Sequence, residues 1–430
     1  MKVVAFLPAK GSSSRIKNKN LMLLDGKPLF LHTLEKLMEC SYIDEVYLDT
    51  EDSEIINLAS ETGCKVLKRP LQLASNNTDG NQLLLNEVKH VEADIYIQIL
   101  CTSPFIEKST IENAIKSLIS SSHDSAVLVR KEKLYTWDKN TPNYNINKIP
   151  NSYDLNDTVI ETMGLYIIKR NAALKTQRRI GESPLLIEAK PIEAIDVNWP
   201  EDFELANLIA AGIREKERQL LDNIKSHLTS AMLSDILDDI GIEGVIPGLK
   251  PSIPGVKIFG KAKTLKLRHL KKGEKFEGIY DALYSYNTII PNDVIIVENE
   301  ASEFAYFGEL NANLAIRAGA SAAIIDGVTR DTAEVQKLGF PVFSKGSNCK
   351  DVRKRATIES YNKTIKISGI KVSPNDLIFG DNEGVIVIPK KHEKRVLEKA
   401  FNVIDTEKRI LVDIANGIDV ATLTKKHGFF

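Results

Sequence analysis

Directly after the apolar run Val3–Leu7 the chain reads Pro8-Ala9-Lys10-Gly11-Ser12-Ser13-Ser14-Arg15, with Lys17, Lys19 and Asn20 close behind. Small residues at the end of a strand leave backbone N–H groups free to wrap anionic oxygens. The basic side chains Lys10, Arg15, Lys17 and Lys19 add charge-assisted hydrogen bonds to the same anion. The pattern is neither a Walker loop nor a dinucleotide fingerprint, and alone it competes with a solvated Gly/Ser/Lys loop. A second set lies far downstream. Gly308-Glu309-Leu310 opens an amphipathic stretch that stops at Gly319, and the apolar run Ala322–Asp326 leads into Gly327-Val328-Thr329-Arg330-Asp331. Such a helix advances about 15 Å and the strand returns about 16 Å, so helix start and strand end meet at one edge. Glu309, the amides of 308–310, Arg330 and Asp331 would then form a site for a divalent metal with an α-keto acid. The competing reading is an ordinary turn with an Arg–Asp surface pair.

The elements that must position these groups follow from periodicity. Strand and helix alternate: Val3–Leu7 strand, Pro28–Cys40 helix, Glu45–Asp49 strand, Ser53–Thr62 helix, Lys65–Lys68 strand, Asn81–Val91 helix, Ile95–Leu100 strand. That rhythm predicts an α/β, doubly wound, mostly parallel sheet with helices on both faces. The basic loop then lies outside the carboxyl end of the first strand, where open α/β sheets bind ligands. Residues 131–158 carry Asn, Pro, Lys and Tyr without a period and read as an irregular excursion. Thr162–Ile168 and Ala194–Val197 read as later strands, and Glu201–Ala211 as a helix. The first domain spans 1–212, a charged helical linker 213–229, and a second α/β domain, richer in strand, 230–430. Strands are expected there at Gly255–Lys266, Val294–Val297 and Val385–Ile388, with an amphipathic helix from Glu393 to about Asn416.

Composition sets the outer bounds. A chain of 430 residues exceeds one comfortable core. Its 57 basic and 58 acidic residues leave no bulk field for nucleic acid or an anionic membrane. No apolar run approaches the roughly 20 residues that span a bilayer, and the start is interrupted too soon for a signal peptide. Cys40, Cys64, Cys101 and Cys349 show no CxxC spacing, which argues against zinc and for a reduced, cytoplasmic setting.

The ordered set Pro8–Asn20, Gly26-Lys27-Pro28-Leu29, Asp49-Thr50-Glu51, Arg69-Pro70, Thr102-Ser103-Pro104, Glu161/Gly164/Tyr166 and Ile195–Asn198 with Asp202–Ala206 resembles the acylneuraminate (CMP-sialate and CMP-ulosonate) cytidylyltransferases. The resemblance implies a nucleotide-diphospho-sugar transferase-like fold and transfer of CMP from CTP to an acidic sugar, as in cell-surface polysaccharide synthesis. It places CTP against Ala9, Lys10, Gly11, Ser12, Ser13, Arg15, Lys19, Asn20, Arg69, Thr102 and Ser103, with Lys10, Arg15 and Lys19 on the phosphates. Asp196 would hold Mg2+ or another divalent cation, since hard cations take carboxylate oxygen. Asn198, facing the same side of the expected strand, stands where the family has a second aspartate. A helix N-cap or a salt bridge is the competing role for Asp196. The sequence departs from the pattern at Lys10, an arginine in the family, and at Ser14, where a basic residue is lost. Leu100 and Ile106 replace the glutamine and arginine that flank Thr-Ser-Pro. These departures bear on recognition of base and sugar.

The second half resembles the 4-hydroxy-4-methyl-2-oxoglutarate aldolases and the regulator of ribonuclease activity A, through Gly308-Glu309-Leu310, Arg317-Ala318-Gly319, Asp326-Gly327-x-x-Arg330-Asp331 and Leu338–Phe343. The resemblance implies a swivelling aldolase/regulator fold, with metal on Asp331 and a 2-keto acid such as pyruvate on Gly308, Glu309, Leu310 and Arg330. Glu309, Arg330 and Asp331 would be the catalytic residues, Glu309 replacing the usual Asp. Two readings stay open. One is a bifunctional enzyme of acidic-sugar metabolism with a class II aldolase-like lyase or decarboxylase. The other is a synthetase joined to a non-catalytic oligomerisation or regulatory module. The resemblances also imply a homo-oligomer, dimeric through the first domain and trimeric or hexameric through the second.

Overall fold

The computed structural model describes residues 1–428 and divides into two compact units, Met1–Ala211 and a second beginning at Gly212. In the first unit the described elements are β1 (Val3–Pro8), α1 (Leu29–Glu39), β2 (Glu45–Thr50), α2 (Ser53–Ala59), β3 (Lys65–Lys68), α3 (Gly80–His90) and β4 (Ile95–Ile99). They continue with α4 (Lys108–Ile119), β5 (Ser125–Glu132), β6 (Thr158–Lys169), α5 (Arg170–Thr176) and β7 (Pro184–Glu188). The helix α6 (Pro200–Lys225) carries the boundary between the units.

The seven strands form one sheet in the order β7-β5-β6-β4-β1-β2-β3. All neighbours are parallel except at β6, which runs against β4 and β5. Strand β1 is buried on both faces, so its apolar run is continuous rather than alternating. Ala5, Leu7, Ile97 and Ile99 pack beneath α1 and α4, while Val4, Phe6, Tyr96 and Ile168 pack with Leu84, Val88 and Ala173 of α3 and α5. Local chemistry starts these helices. Asp52 accepts from the backbone of Glu54 and Ile55 at α2, and Asp79 with Gln82 makes a reciprocal capping box at α3.

Several expectations needed correction. Ala194–Val197 is not a strand: Pro191–Ala194 is a 3-10 turn and 195–198 has no sheet partner. The edge strand is β7 instead. Residues 131–158 hold the miniature hairpin Trp137–Asp138/Thr141–Pro142. The segment 213–229, expected as a helical linker, lies mostly within α6, whose Leu221 and Ile224 are buried with Leu233, Phe259 and Phe379.

The second unit adds α7 (Ser230–Asp239), β8 (Val245–Ile246), β9 (Lys250–Pro251), β10 (Ile258–His269), β11 (Val294–Asn299), α8 (Glu309–Ala318), β12 (Ala322–Asp326) and α9 (Thr332–Lys337). It ends with β13 (Val342–Ser344), β14 (Ala356–Tyr361), β15 (Leu377–Gly380), β16 (Val385–Ile388), α10 (Glu393–Ala415) and α11 (Val420–His427). Its sheet runs β8-β16-β15-β10-β11-β12-β13-β9, with β14 also paired to β10. The central β10-β11-β12-β13 strands are parallel and their flanks antiparallel. Among the described residues no helix is long and apolar enough to cross a membrane.

Candidate functional site

The basic loop stands at the carboxyl end of β1, with its first turn held by a carboxylate and an amide while Ser12, Ser14, Arg15 and Lys17 are exposed. Gly11 N donates to Glu51 Oε1 at 2.8 Å, and Asn20 Nδ2 donates to Lys10 O at 2.9 Å. A Cβ on Gly11 would overlap the Asp52 side chain, so this turn requires glycine by space alone. Lys10 Nζ reaches Asn76 Oδ1, and Lys19 Nζ, buried, donates to Val197 O at 2.9 Å. Arg15 lies over the Trp199 ring at 5.6 Å.

Four cations share this space. Burial holds the Lys10 ammonium below its ordinary pKa, and the charges of Arg69 and Arg15 push the same way. Burial likewise lowers Lys19, followed by the repulsion of Arg15 and Lys10, against the pull of Asp196. Like charges gathered in a partly dry pocket are unfavourable unless an anion is to be received there.

Arg69 is fixed from below. Its Nε donates to Asp49 Oδ1 at 3.0 Å and its Nη2 to Asp49 O at 2.8 Å, with the two side chains 2% and 0% exposed. Asp49 pairs across the sheet with Pro8, Phe6 with Gln98, and Gln98 with Tyr166. Asp49, Gln98 and Tyr166 therefore share the face covered by α3. Leu100 stands where the resemblance expects a glutamine. The strand's amide is Gln98, two residues earlier on that same face, and its Nε2 donates to Glu87 Oε2 at 2.8 Å.

At the other end of this row, Tyr166 Oη bonds Glu161, and Arg179 Nη2 donates to Tyr166 Oη at 2.9 Å while its guanidinium stacks 3.7 Å from the ring centroid. Burial and the Glu161 bond push the Tyr166 hydroxyl pKa upward. A register shift in β6 between Glu161 and Tyr166 makes this turn possible. Gly164 there faces Ser103 so closely that a Cβ would come within 2.7 Å of Ser103 Oγ.

The segment 195–198 is tied by Val197 N to Thr102 O at 2.7 Å. The Asn198 amide donates to Asp196 Oδ2, and Asp202 takes the capping role at α6, accepting from Asn198 N at 2.9 Å and Trp199 N at 2.8 Å. Among the described residues, Asp196 Oδ1 is buried without a hydrogen-bond partner, as is Ser103 Oγ. An orphaned buried carboxylate oxygen is the kind of hard donor that a divalent cation takes. Among the described residues no three His, Cys, Asp or Glu side chains gather into a complete cation site, so further ligands would come from substrate oxygens.

In the second unit the edge meeting forms. Asp331 Oδ2 lies 3.3 Å from Glu309 N, and Arg330 Nε lies 3.6 Å from Asp331 Oδ2. A Cβ on Gly308 would come within 2.5 Å of that same Oδ2. Asp331 adopts the left-handed conformation at φ 53°. Arg330 Nη1 also pairs with Asp351 Oδ2 at 2.8 Å, a partner that sequence spacing did not reveal. Leu310 is 76% exposed beside it. Asn76, Glu87, Gln98 and Arg179 were also missed; each meets its partner through sheet register, helix packing or loop packing, with no local sequence signal.

The profile of the cytidylyltransferase family matches residues 4–222, and that of the aldolase/RraA family matches 230–387. The chain is 30% identical to protein DlpA of Legionella pneumophila, over 44% of this chain and 30% of that protein, so it spans under a third of this relative's length. It is 29% identical to a Halalkalibacterium halodurans protein provisionally named a 4-hydroxy-4-methyl-2-oxoglutarate aldolase, over 40% of this chain and 78% of that one. With the N-acylneuraminate cytidylyltransferase of Escherichia coli it shares 24% identity over 51% of this chain and 54% of that one. The chain thus belongs to the cytidylyltransferase family, which matches its first unit, and its second unit matches the profile of the aldolase/RraA family.

Proposed function

We propose that the first unit transfers CMP from CTP to the 2-hydroxyl of a 3-deoxy-2-ulosonic acid. The hydroxyl oxygen bonds the α-phosphorus, the α–β phosphoanhydride breaks, pyrophosphate leaves and the hydroxyl proton passes to solvent. The observation that carries this reading is the convergence of Lys10, Arg15, Lys19 and Arg69 at the carboxyl end of β1. Such chemistry needs charge neutralisation and alignment more than covalent help. Asp196 would hold a magnesium ion, which when bound supplies charge neutralisation at the phosphates. Lys19, fastened to Val197 O, keeps the Asp196 segment against the loop. The test is pyrophosphate release with CTP, UTP, GTP and ATP against a panel of ulosonic acids. Release with CTP supports the reading, and release with another nucleotide but never CTP overturns it.

For the second unit we propose a metal-dependent lyase acting on a 2-keto acid, because Gly308, Glu309, Arg330 and Asp331 meet at one edge. Arg330 would hold the acid's oxygens, and the amides of 308–310 would receive charge developing on an enolate. A second reading, a non-catalytic assembly module, draws on Asp351 already occupying Arg330. Keto-acid turnover lost in Arg330→Ala with assembly intact supports the lyase; no turnover by the unaltered protein supports the module.

A further inference from the structure

Behind the basic loop lies a polar cluster that none of the nucleotide-binding assignments uses. Glu87 of α3 is 0% exposed, Asp49 of β2 is 0%, and Gln98 of β4 is 1%. Glu87 Oε2 accepts from Gln98 Nε2 at 2.8 Å, while Glu87 Oε1 and Asp49 Oδ2 have no hydrogen-bond donor among the described residues. Asp49 and Gln98 lie on the sheet face that α3 covers, Glu87 reaches that face from α3, and the Asp49 charge bears on Glu87. Asp49 spends its other oxygen on Arg69 Nε and its backbone carbonyl on Arg69 Nη2.

Two ionised carboxylates cannot share so dry a contact with a single guanidinium, so one keeps a proton. Asp49 touches the guanidinium directly, whereas Glu87 meets an amide; the proton therefore belongs on Glu87. Burial first and the Asp49 charge second hold the Glu87 pKa well above the carboxylate range, against the weaker pull of Gln98 and Arg69. Protonated, Glu87 has an O–H to donate to Asp49 Oδ2, and the two orphaned oxygens become partners.

We propose that Glu87 is a positioning residue of the nucleotide site: its carboxyl O–H anchors Asp49, and Asp49 thereby aims the Arg69 guanidinium at the triphosphate. The cluster holds one positive and one negative charge, so it adds no net repulsion toward an anionic ligand. Ionisation of Glu87 would break the anchor and set a second negative charge behind Arg69. This inference rests on the reading of the first unit as a CTP site.

The test is direct calorimetric binding of magnesium-CTP to the full chain, without acceptor, from neutral to alkaline pH. Lys10 and Lys19 also lose charge in alkali, so the unaltered protein is the reference at each pH. Glu87→Gln keeps a donor to Asp49 but cannot ionise. It should bind within about twofold of the unaltered protein at neutral pH and weaken less in alkali. Glu87→Leu, with its folding checked by thermal melt, should weaken binding about tenfold at neutral pH. An alkaline loss in Glu87→Gln equal to that of the unaltered protein, or unchanged affinity in a folded Glu87→Leu, overturns the inference alone. Failure of the unaltered protein to bind CTP at any pH removes the nucleotide reading and the inference together.

Discussion

The two sites answer the same problem, holding an arginine ready for an anion, in opposite ways. Arg69 is 2% exposed, bonded to one buried aspartate and backed by Glu87 and Gln98. Arg330 is 37% exposed and divides its contacts between Asp331 and Asp351, which are 44% and 34% exposed. A buried guanidinium has lost its water during folding and cannot easily reorient. An exposed one remains hydrated and can exchange a carboxylate partner for a ligand at small cost. The first site is therefore preset, and the second is switchable.

The comparison breaks first at Asp49. Asp49→Ala leaves a buried guanidinium unpaired and should destabilise the first unit by about 3–5 kcal/mol, read as a lowered melting temperature. A loss under 1 kcal/mol would mean that Arg69 is not preset. Asp196→Ala should lower CTP-dependent pyrophosphate release about 100-fold while leaving the melt near that of the unaltered protein. An activity loss matched by a collapsed melt would make Asp196 a structural residue. Asp351→Ala should cost less than about 1 kcal/mol and tighten binding of pyruvate by freeing Arg330. Weaker binding would show that Asp351 belongs to the binding geometry.

Acid gives a smaller probe of the first unit. Burial, then the Lys27 charge, lowers the His32 pKa to about 4, while its ring bonds Leu24 O at 2.8 Å. The folded protein binds this proton less readily than the unfolded chain, so the stability it contributes is full above about pH 6.5. It is lost progressively as pH falls toward 4. The melting temperature should decline across that window, and His32→Gln should flatten the decline. The smallest expected effect is ionic: raising salt to 1 M should weaken the Arg330 pairs and leave Arg69–Asp49 unchanged, because screening acts on exposed charges.

What could be read from the residues alone followed from local rules. Lys65–Lys68 and Ala322–Asp326 form strands with the expected bounds because turn residues close both ends of each apolar run. The loop 8–20 announced itself because its glycine, serines and cations are contiguous. The row Asp49–Glu87–Gln98–Tyr166 did not, since three of those residues meet through strand register and Glu87 reaches them from the helix packed above. Asp351 was equally silent, 21 residues beyond Arg330 in another loop. Asp196 shows a subtler failure. Its alternating surroundings suggested a strand, yet no neighbour accepts the ladder, and Thr102 O takes only Val197 N.

The reversed strand β6 has a consequence for how the chain is made. Val3 pairs with Ile95, Gln98 with Tyr166 and Glu161 with Val129, so the middle of the sheet closes only after residues near 170 have left the ribosome. Such distant pairings carry a loop-closure cost that must be met before the centre of the sheet gains its contacts. On the proposed protonation of Glu87, burying the cluster takes up a proton that the unfolded chain lacks at neutral pH.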